Sequence, residues 1–292
     1  MSVARYYSWL SWFQDLARLV AHDTGQGTLT VHRRLRNASG DASGDVLHDR
    51  LLQALHATGT ASAPAPAAPA ALEVLDAGCG LGGTTFALQA RLGGNYCGIT
   101  LSPTQAARAT AEAGRRGVSD TCRFVVRDYD ADLRDLVPTG VDLIIAIESL
   151  AHAPDPAATI ARLGSLLRPG GRMLVVDDVP RDVLPRDDAD YLSFRRGWLC
   201  PAVASDATLA AALARAGLRV CHDENLTPLM PHRGRVQLHL LAWLSRGAGV
   251  LLGRTPAGVL IGALHGGLML ERLYRRELIR YRLVIACAPL GG

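Results

Sequence analysis

Residues 72–83, Leu-Glu-Val-Leu-Asp-Ala-Gly-Cys-Gly-Leu-Gly-Gly, restrict what this chain can fold into more than any other stretch. Leu72, Val74 and Leu75 run into Asp76, and Gly78, Gly80, Gly82 and Gly83 follow at once. Thr84–Leu92 then carries helical spacing, so the segment reads as strand, tight turn, helix. Glycine lacks a Cβ, which lets the turn adopt left-handed conformations and lets a ligand approach its backbone. The helix that follows offers unpaired N–H groups to that ligand. Gly78, Gly80 and Gly83 fit the spacing G-x-G-x-x-G, a weak signal alone. Asp76 is more selective: a carboxylate ahead of the first glycine repels a pyrophosphate and suits a positively charged ligand, such as an amino acid or a sulfonium.

The alternation continues downstream. Hydrophobic patterning predicts strands at 72–77, 95–100, 122–127, 141–147 and 172–178, and helices at 83–92, 103–116, 155–167 and 206–216. Such alternation predicts a parallel sheet covered by helices on both faces, with ligands at the carboxyl ends of the strands. Leu218–Leu226 and Arg280–Ala286 are placed to supply two last strands. Residues 229–274 break the pattern with an apolar run interrupted by glycines, Arg246 and Arg254, which predicts two or three helices. At the other end, Tyr6, Trp9, Leu10, Phe13, Leu16 and Val20 share one helical stripe; residues 21–45 read as loops, Val46–Leu55 as a helix, and residues 57–71, with Pro64, Pro66 and Pro69, as an extended connector. The expected organisation is an N-terminal helical cap (1–56), a connector (57–71), an α/β core (72–228), an apolar helical cap insertion (229–279) and a final strand (280–292).

The Asp-Ala-Gly-Cys-Gly-Leu-Gly-Gly turn resembles the cofactor loop of class I S-adenosylmethionine-dependent methyltransferases. Gly98-Ile-Thr-Leu-Ser102, Arg127-Asp-Tyr129, Ala146-Ile-Glu-Ser149 and Leu167-Arg-Pro-Gly-Gly171 extend the likeness in the family's order over about residues 70–180. Gly-Ile-Thr-Leu-Ser and Ala-Ile-Glu-Ser-Leu-Ala-His are similar to the subgroup of sterol and isoprenoid C-methyltransferases and cyclopropane fatty acid synthases. The resemblance implies a doubly wound Rossmann-like methyltransferase sheet (α/β), with a mostly helical cap from the N-terminus and a C-terminal insertion. It implies S-adenosyl-L-methionine as cofactor, held by Asp76, Gly78, Cys79, Gly80 and Gly82, by Thr100, Ser102 and Gln105 at the ribose, and by Asp128 and Tyr129 at the adenine. Leu167–Gly171 would be a helix-to-strand turn, and the final strand would insert antiparallel.

Thr100 stands where many nucleotide-binding domains place an acid on the ribose, which counts against a nicotinamide cofactor. Ser102 before Pro103 is also an ordinary helix start. Glu148 directly follows the buried run Ile144-Ile-Ala-Ile147; an unpaired carboxylate is costly in a core and so faces a site. By resemblance it steadies the cation left when a methyl adds to an alkene. His152 is an alternative general base. Tyr6, Tyr7, Trp9, Trp198 and Trp243 are the expected aromatic contacts to substrate. Asp177 and Asp178 end a strand near the site, and the arginine pairs 33/34, 195/196 and 233/235 could bind a diphosphate, although solvated surface is the expected fate of such pairs. No metal site is expected.

These features point to a transferase for a small lipophilic acceptor, methylating a carbon of an isoprenoid or sterol-like alkene. The alternatives are an O- or N-methyltransferase of a small polar or natural-product metabolite, and a non-catalytic cofactor-binding module. The net charge is only +4, without a basic block, which excludes nucleic acid as an expected partner. Six scattered cysteines without Cys-x-x-Cys predict neither a zinc site nor a disulfide framework. The sequence start lacks a secretory pattern, and no apolar stretch is long enough to span a bilayer. A cytoplasmic protein is expected, with peripheral membrane contact through residues 229–274 as a further use of that segment.

Overall fold

The computed structural model describes residues 32–37, 39–43, 45–59, 71–252 and 255–291. Tyr6, Tyr7, Trp9 and the N-terminal aromatic stripe lie outside the described residues.

The core is one seven-stranded sheet of order β5-β4-β3-β6-β7-β9-β8. Its parallel strands are β3 (Glu73–Ala77), β4 (Asn95–Thr100), β5 (Cys122–Val126), β6 (Val141–Ile147) and β7 (Leu167–Pro180). β9 (Ile279–Cys287) inserts antiparallel between β7 and β8 (Arg219–Asn225). The centre of the sheet is apolar on both faces because helices cover both: Leu143, Ile144, Ile145 and Ala146 of β6 are all fully buried. α1 (Asp45–Ala57), α2 (Gly83–Leu92), α3 (Pro103–Arg116), α4 (Pro156–Gly164) and α6 (Asp206–Arg215) pack around the sheet.

Local chemistry sets the helix ends. Ser102 caps α3 with Pro103 at its first position, and Gly117 in the left-handed conformation ends it. Asp155 caps α4 by accepting from the Ala157 and Ala158 N–H groups. Four local structures differ from the sequence reading. Leu35–Arg36 (β1) and Ala42–Ser43 (β2) form a small hairpin within the predicted loop, anchored by the fully buried Leu35. Leu167–Gly171 belongs to β7 and not to a free turn: Val141 pairs with Leu167 and Leu143 with Arg172, so Arg168–Gly171 bulges out of the ladder. α5 (Ala189–Gly197) was not legible as a helix; Asp188 caps it with hydrogen bonds from Asp190 and Tyr191. Cys221 and Cys287, on neighbouring antiparallel strands, are bonded as a disulfide, against the expectation from isolated cysteines, because strand pairing closes a separation of 66 residues.

The apolar segment after β8 forms a pair of helices, α7 (Arg235–Leu252) and α8 (Pro256–Arg275), joined laterally by Ser245 Oγ and His265 Nδ1 at 2.9 Å. α8 also lies unusually close to α5. A Cβ on Gly197 would stand 2.4 Å from the Gly262 carbonyl oxygen and 3.0 Å from Gly266 Cα, so the two backbones touch only because glycines face each other. Among the described residues no helix is long and apolar enough to cross a membrane.

Candidate active site

A cavity opens at the carboxyl ends of β3, β4 and β6, where the strand order reverses direction. Its wall includes Gly78, Cys79 and Gly80 from the turn after β3, Thr100, Ser102 and Gln105 after β4, Tyr129 after β5, and Glu148, Ser149 and His152 after β6. The glycine turn is stapled to the end of β4, with the Gly78 and Cys79 N–H groups both donating to the Ile99 carbonyl at 3.0 Å. Gly78 has φ +95°, and a Cβ there would meet Ser149 Cβ at 2.6 Å. Gly80 is also left-handed, yet its hypothetical Cβ meets nothing within 4 Å, so this part of the turn is open toward the cavity. Ser149 lines the cavity, and its Oγ is buried without a hydrogen-bond partner among the described residues, which leaves that hydroxyl with unused hydrogen-bonding capacity.

Thr100, Ser102 and Gln105 form one buried cluster. Thr100 Oγ1 donates to Gln105 Oε1 at 2.8 Å and accepts from the Ser102 N–H at 3.2 Å. Tyr129 donates from its hydroxyl to the Ser149 carbonyl at 3.0 Å, tying the β5 and β6 loops together. Three residues expected to hold the cofactor do not reach the wall. Asp76 is buried and accepts from Thr85 Oγ1 at 2.6 Å, and burial pushes its carboxyl up to about 6 against that hydrogen bond. Gly82 serves packing, since a Cβ there would press on Phe124 and Phe86 at under 3.0 Å. Asp128 is exposed and accepts from the Asp130 N–H at 2.9 Å; its neighbour Arg127 lines the cavity instead.

Glu148 has φ +49°, a left-handed backbone that a non-glycine residue adopts only when its surroundings hold it there. Its N–H donates to the Val176 carbonyl at 2.7 Å. Its Oε1 accepts from the Arg33 N–H at 3.1 Å and from the Tyr281 hydroxyl at 2.8 Å. Burial pushes this carboxyl up, but the Arg33 charge, His32 and the two hydrogen bonds together hold it below its ordinary value. His152 sits in a short 3₁₀ turn, Leu150–His152, with Nδ1 at 3.3 Å from the Leu199 carbonyl. Burial lowers its pKa, against the Leu199 carbonyl and Glu148, and keeps the ring neutral near pH 7.

Arg33, expected either as solvated surface or as a diphosphate contact, is instead a largely buried organising residue, a role the sequence did not reveal. Its guanidinium makes two 2.6 Å hydrogen bonds to the Asp178 carboxylate and lies 4.9–5.7 Å from the ring centres of Trp198, Tyr274 and Tyr281. The Tyr274 hydroxyl also donates to Asp178. Arg33 therefore joins two cavities: its backbone reaches Glu148 in the first, and its side chain lines a second with Arg34, Trp198, Met230, Leu264 and Tyr274. Trp198 belongs to this second cavity, where its Nε1 donates to the Ala263 carbonyl at 2.9 Å. Trp243 reaches neither cavity and is 72% exposed on α7, on the side away from the Ser245 contact with α8. Asp177 accepts from the Ala151 and Asp178 N–H groups at 3.1 and 2.8 Å. Among the described residues no cluster of His, Cys, Asp and Glu is arranged to hold a metal ion.

A sheet of this order with a glycine turn at its switch point is found with many chemistries, so the match of residues 75–173 to the methyltransferase domain family carries weight. Residues 75–173 are a methyltransferase domain. It contains β4–β6, the glycine turn, Thr100 and Glu148. The chain is 30% identical to an Arabidopsis thaliana chloroplastic tocopherol O-methyltransferase over 232 residues, 75% of this chain and 63% of that protein. It is 29% identical to an Aspergillus fumigatus sterol 24-C-methyltransferase over 160 residues, 53% of this chain and 42% of that protein. The chain spans only 60% and 63% of the length of the two tocopherol O-methyltransferases it matches. Beyond the methyltransferase domain, the full fold is similar to geranyl diphosphate methyltransferase solved with GPP and sinefungin, with a TM-score of 0.66, 22% identity and coverage of 98% and 97% of the two chains.

Proposed function

We propose that the chain transfers a methyl group from S-adenosylmethionine to a carbon atom of a lipophilic isoprenoid or sterol-like acceptor. The observation that carries this reading is Glu148: an ionised carboxylate held on strained backbone in the cavity that begins at the open glycine turn. The cavity fits the cofactor. Gly80 leaves space at the turn, Ser149 Oγ has an unused hydrogen-bonding position, and Thr100, Ser102 and Gln105 provide hydroxyl and amide groups where a ribose would lie. When bound, S-adenosylmethionine supplies an electrophilic methyl on a positively charged sulfur.

Gly78, Cys79 and Gly80 with Thr100, Ser102 and Gln105 would hold the cofactor, which would supply its methyl to the π electrons of the acceptor alkene while the carbon–sulfur electron pair stayed on sulfur. The acceptor would be left as a carbocation, whose proton would pass to the Glu148 carboxylate in the cavity wall. Glu148 faces that developing charge as a carboxylate, and its hydrogen bonds from Tyr281 and the Arg33 backbone fix its direction. Ile99, Leu101 and Ile147 give the same cavity an apolar wall, which excludes water and favours a step that disperses charge.

A second reading is O-transfer, favoured by the name of the Arabidopsis relative and by His152 in the same wall. There the neutral imidazole would take the proton of a phenol or alcohol. Incubation with methyl-labelled cofactor and a set of isoprenoid alkenes, sterols and prenylated phenols, followed by mass spectrometry and NMR, separates the two. A carbon–methyl product is expected; a methyl ether overturns the first reading, and no product from any acceptor overturns both.

A further inference from the structure

We propose that the outer face of α7 docks on the surface of an anionic lipid bilayer. Val236, Leu240, Trp243, Leu244 and Leu251 are all exposed, with Val236 and Leu251 more than four-fifths so. On a helix advancing about 100° per residue they fall within about 100° of arc, a continuous apolar stripe. Leu238, Ala242 and Ser245 are buried on the opposite side. A stripe of this kind on the surface marks a contact that the other described residues do not make.

Charge identifies the occupant. Between Glu224 and Glu271 the sequence has no Asp or Glu, although the chain carries 27 acids in 292 residues, and the same span holds Arg233, Arg235, Arg246 and Arg254. Arg235, His239 and Arg246 are exposed and group along one edge of the stripe, within about 40° of arc by the same helical geometry. A protein partner of ordinary composition gives no reason to remove every acid from the segment. An anionic interface does, because each carboxylate near it is repelled while each arginine is attracted. Trp243 and the leucines then enter the boundary between headgroups and acyl chains.

The opposite edge of the stripe leads to the second cavity. Gln237 of α7 and Leu264 of α8 line that cavity, and Leu264 is itself an exposed apolar residue. A lipophilic molecule leaving the bilayer at this face would meet the cavity whose floor is Arg33, beside Glu148. This route rests on the proposed function; docking itself does not.

The test is co-sedimentation of the full chain with extruded vesicles of phosphatidylcholine and phosphatidylglycerol in a three-to-one ratio, beside vesicles of phosphatidylcholine alone. Binding to the mixed vesicles is expected, weakened by added salt. The exposed double variant L240S/W243S should bind about tenfold more weakly or worse, with an unchanged melting temperature. R235E/R246E should lose the preference for anionic vesicles. Absence of binding, or binding that neither variant alters, overturns the proposal. A concentration-dependent dimer in sedimentation velocity that L240S/W243S dissolves also overturns it, in favour of a second copy on this face. None of these readouts needs turnover, so failure here is distinct from failure of the methyltransferase reading.

Discussion

Arg33→Met tests whether the buried cation organises the site. Arg33 and Asp178 side chains are 14% and 4% exposed, and their bidentate contact at 2.6 Å is little screened by solvent. Methionine keeps the length of the stem and much of the packing against Trp198, Tyr274 and Tyr281, but removes the charge. Among the described residues, Asp178 would keep the Tyr274 hydroxyl alone. Removing one partner of a buried pair costs about 3–5 kcal/mol, because the other charge is left uncompensated. For a protein of this size that is roughly 10 °C in melting temperature. Much of the loss is the stranded carboxylate, so R33M/D178N should recover about half of it, a coupling of at least about 2 kcal/mol in a double-mutant cycle. The assay is urea or thermal unfolding of the four proteins at pH 7.5. A shift below about 2 °C for R33M, or simple additivity in the double variant, would refute the reasoning. Arg33 also holds the Glu148 carboxyl down, so in R33M the acid limb of the turnover profile should move to higher pH.

Other consequences can be checked with equally direct measurements. Glu148→Gln keeps acceptors for the Tyr281 and Arg33 donors but removes the charge; for a cation about 5 Å away that is about 3 kcal/mol at an effective dielectric of 20, hence about two orders of magnitude in turnover with cofactor affinity retained by calorimetry. Turnover within threefold of the parent would remove Glu148 from the mechanism. Asp177 is pushed up to about 7 by burial and then by the neighbouring Asp178 charge, above the unfolded value near 4. Its contribution is therefore fully present below about pH 4 and lost as pH rises toward about 7; Asp177→Asn should raise the melting temperature at pH 8 and change it less at pH 5. Gly80→Ala should cost about 1 kcal/mol in stability through its left-handed backbone while sharply reducing cofactor affinity. Gly78→Ala, whose Cβ would collide with Ser149 at 2.6 Å, should lower both the melting temperature and the yield of folded protein.

Much of the α/β core was legible because its determinants are local. The expected strands at 95–100 and 141–147 and helices at 83–92 and 103–116 coincide with β4, β6, α2 and α3, since apolar runs, the Ser102–Pro103 start and glycine stops act within a few residues. Where the signal was not local, the reading failed. α5 has a cap and a short polar sequence that resemble a loop until Gly197 meets Gly262 and Gly266 of α8. The Cys221–Cys287 bond follows from strand pairing, which cysteine spacing does not encode. Trp243 looked like a substrate contact by residue type alone, yet its angular position on α7 turns it outward.

By itself, then, the sequence determined the strand–turn–helix around Asp76, the positions of strands such as β4 and β6 and the presence of a carboxylate at the end of β6, because each depends on periodicity and on glycine geometry within a short window. Only the tertiary structure decided what surrounds that carboxylate. Arg33 meets Asp178 across 145 residues of chain and Tyr281 meets Glu148 across 133. No periodic pattern records such pairings, because they arise when β9 is threaded between β7 and β8 and the segment before α1 is laid over the strand ends.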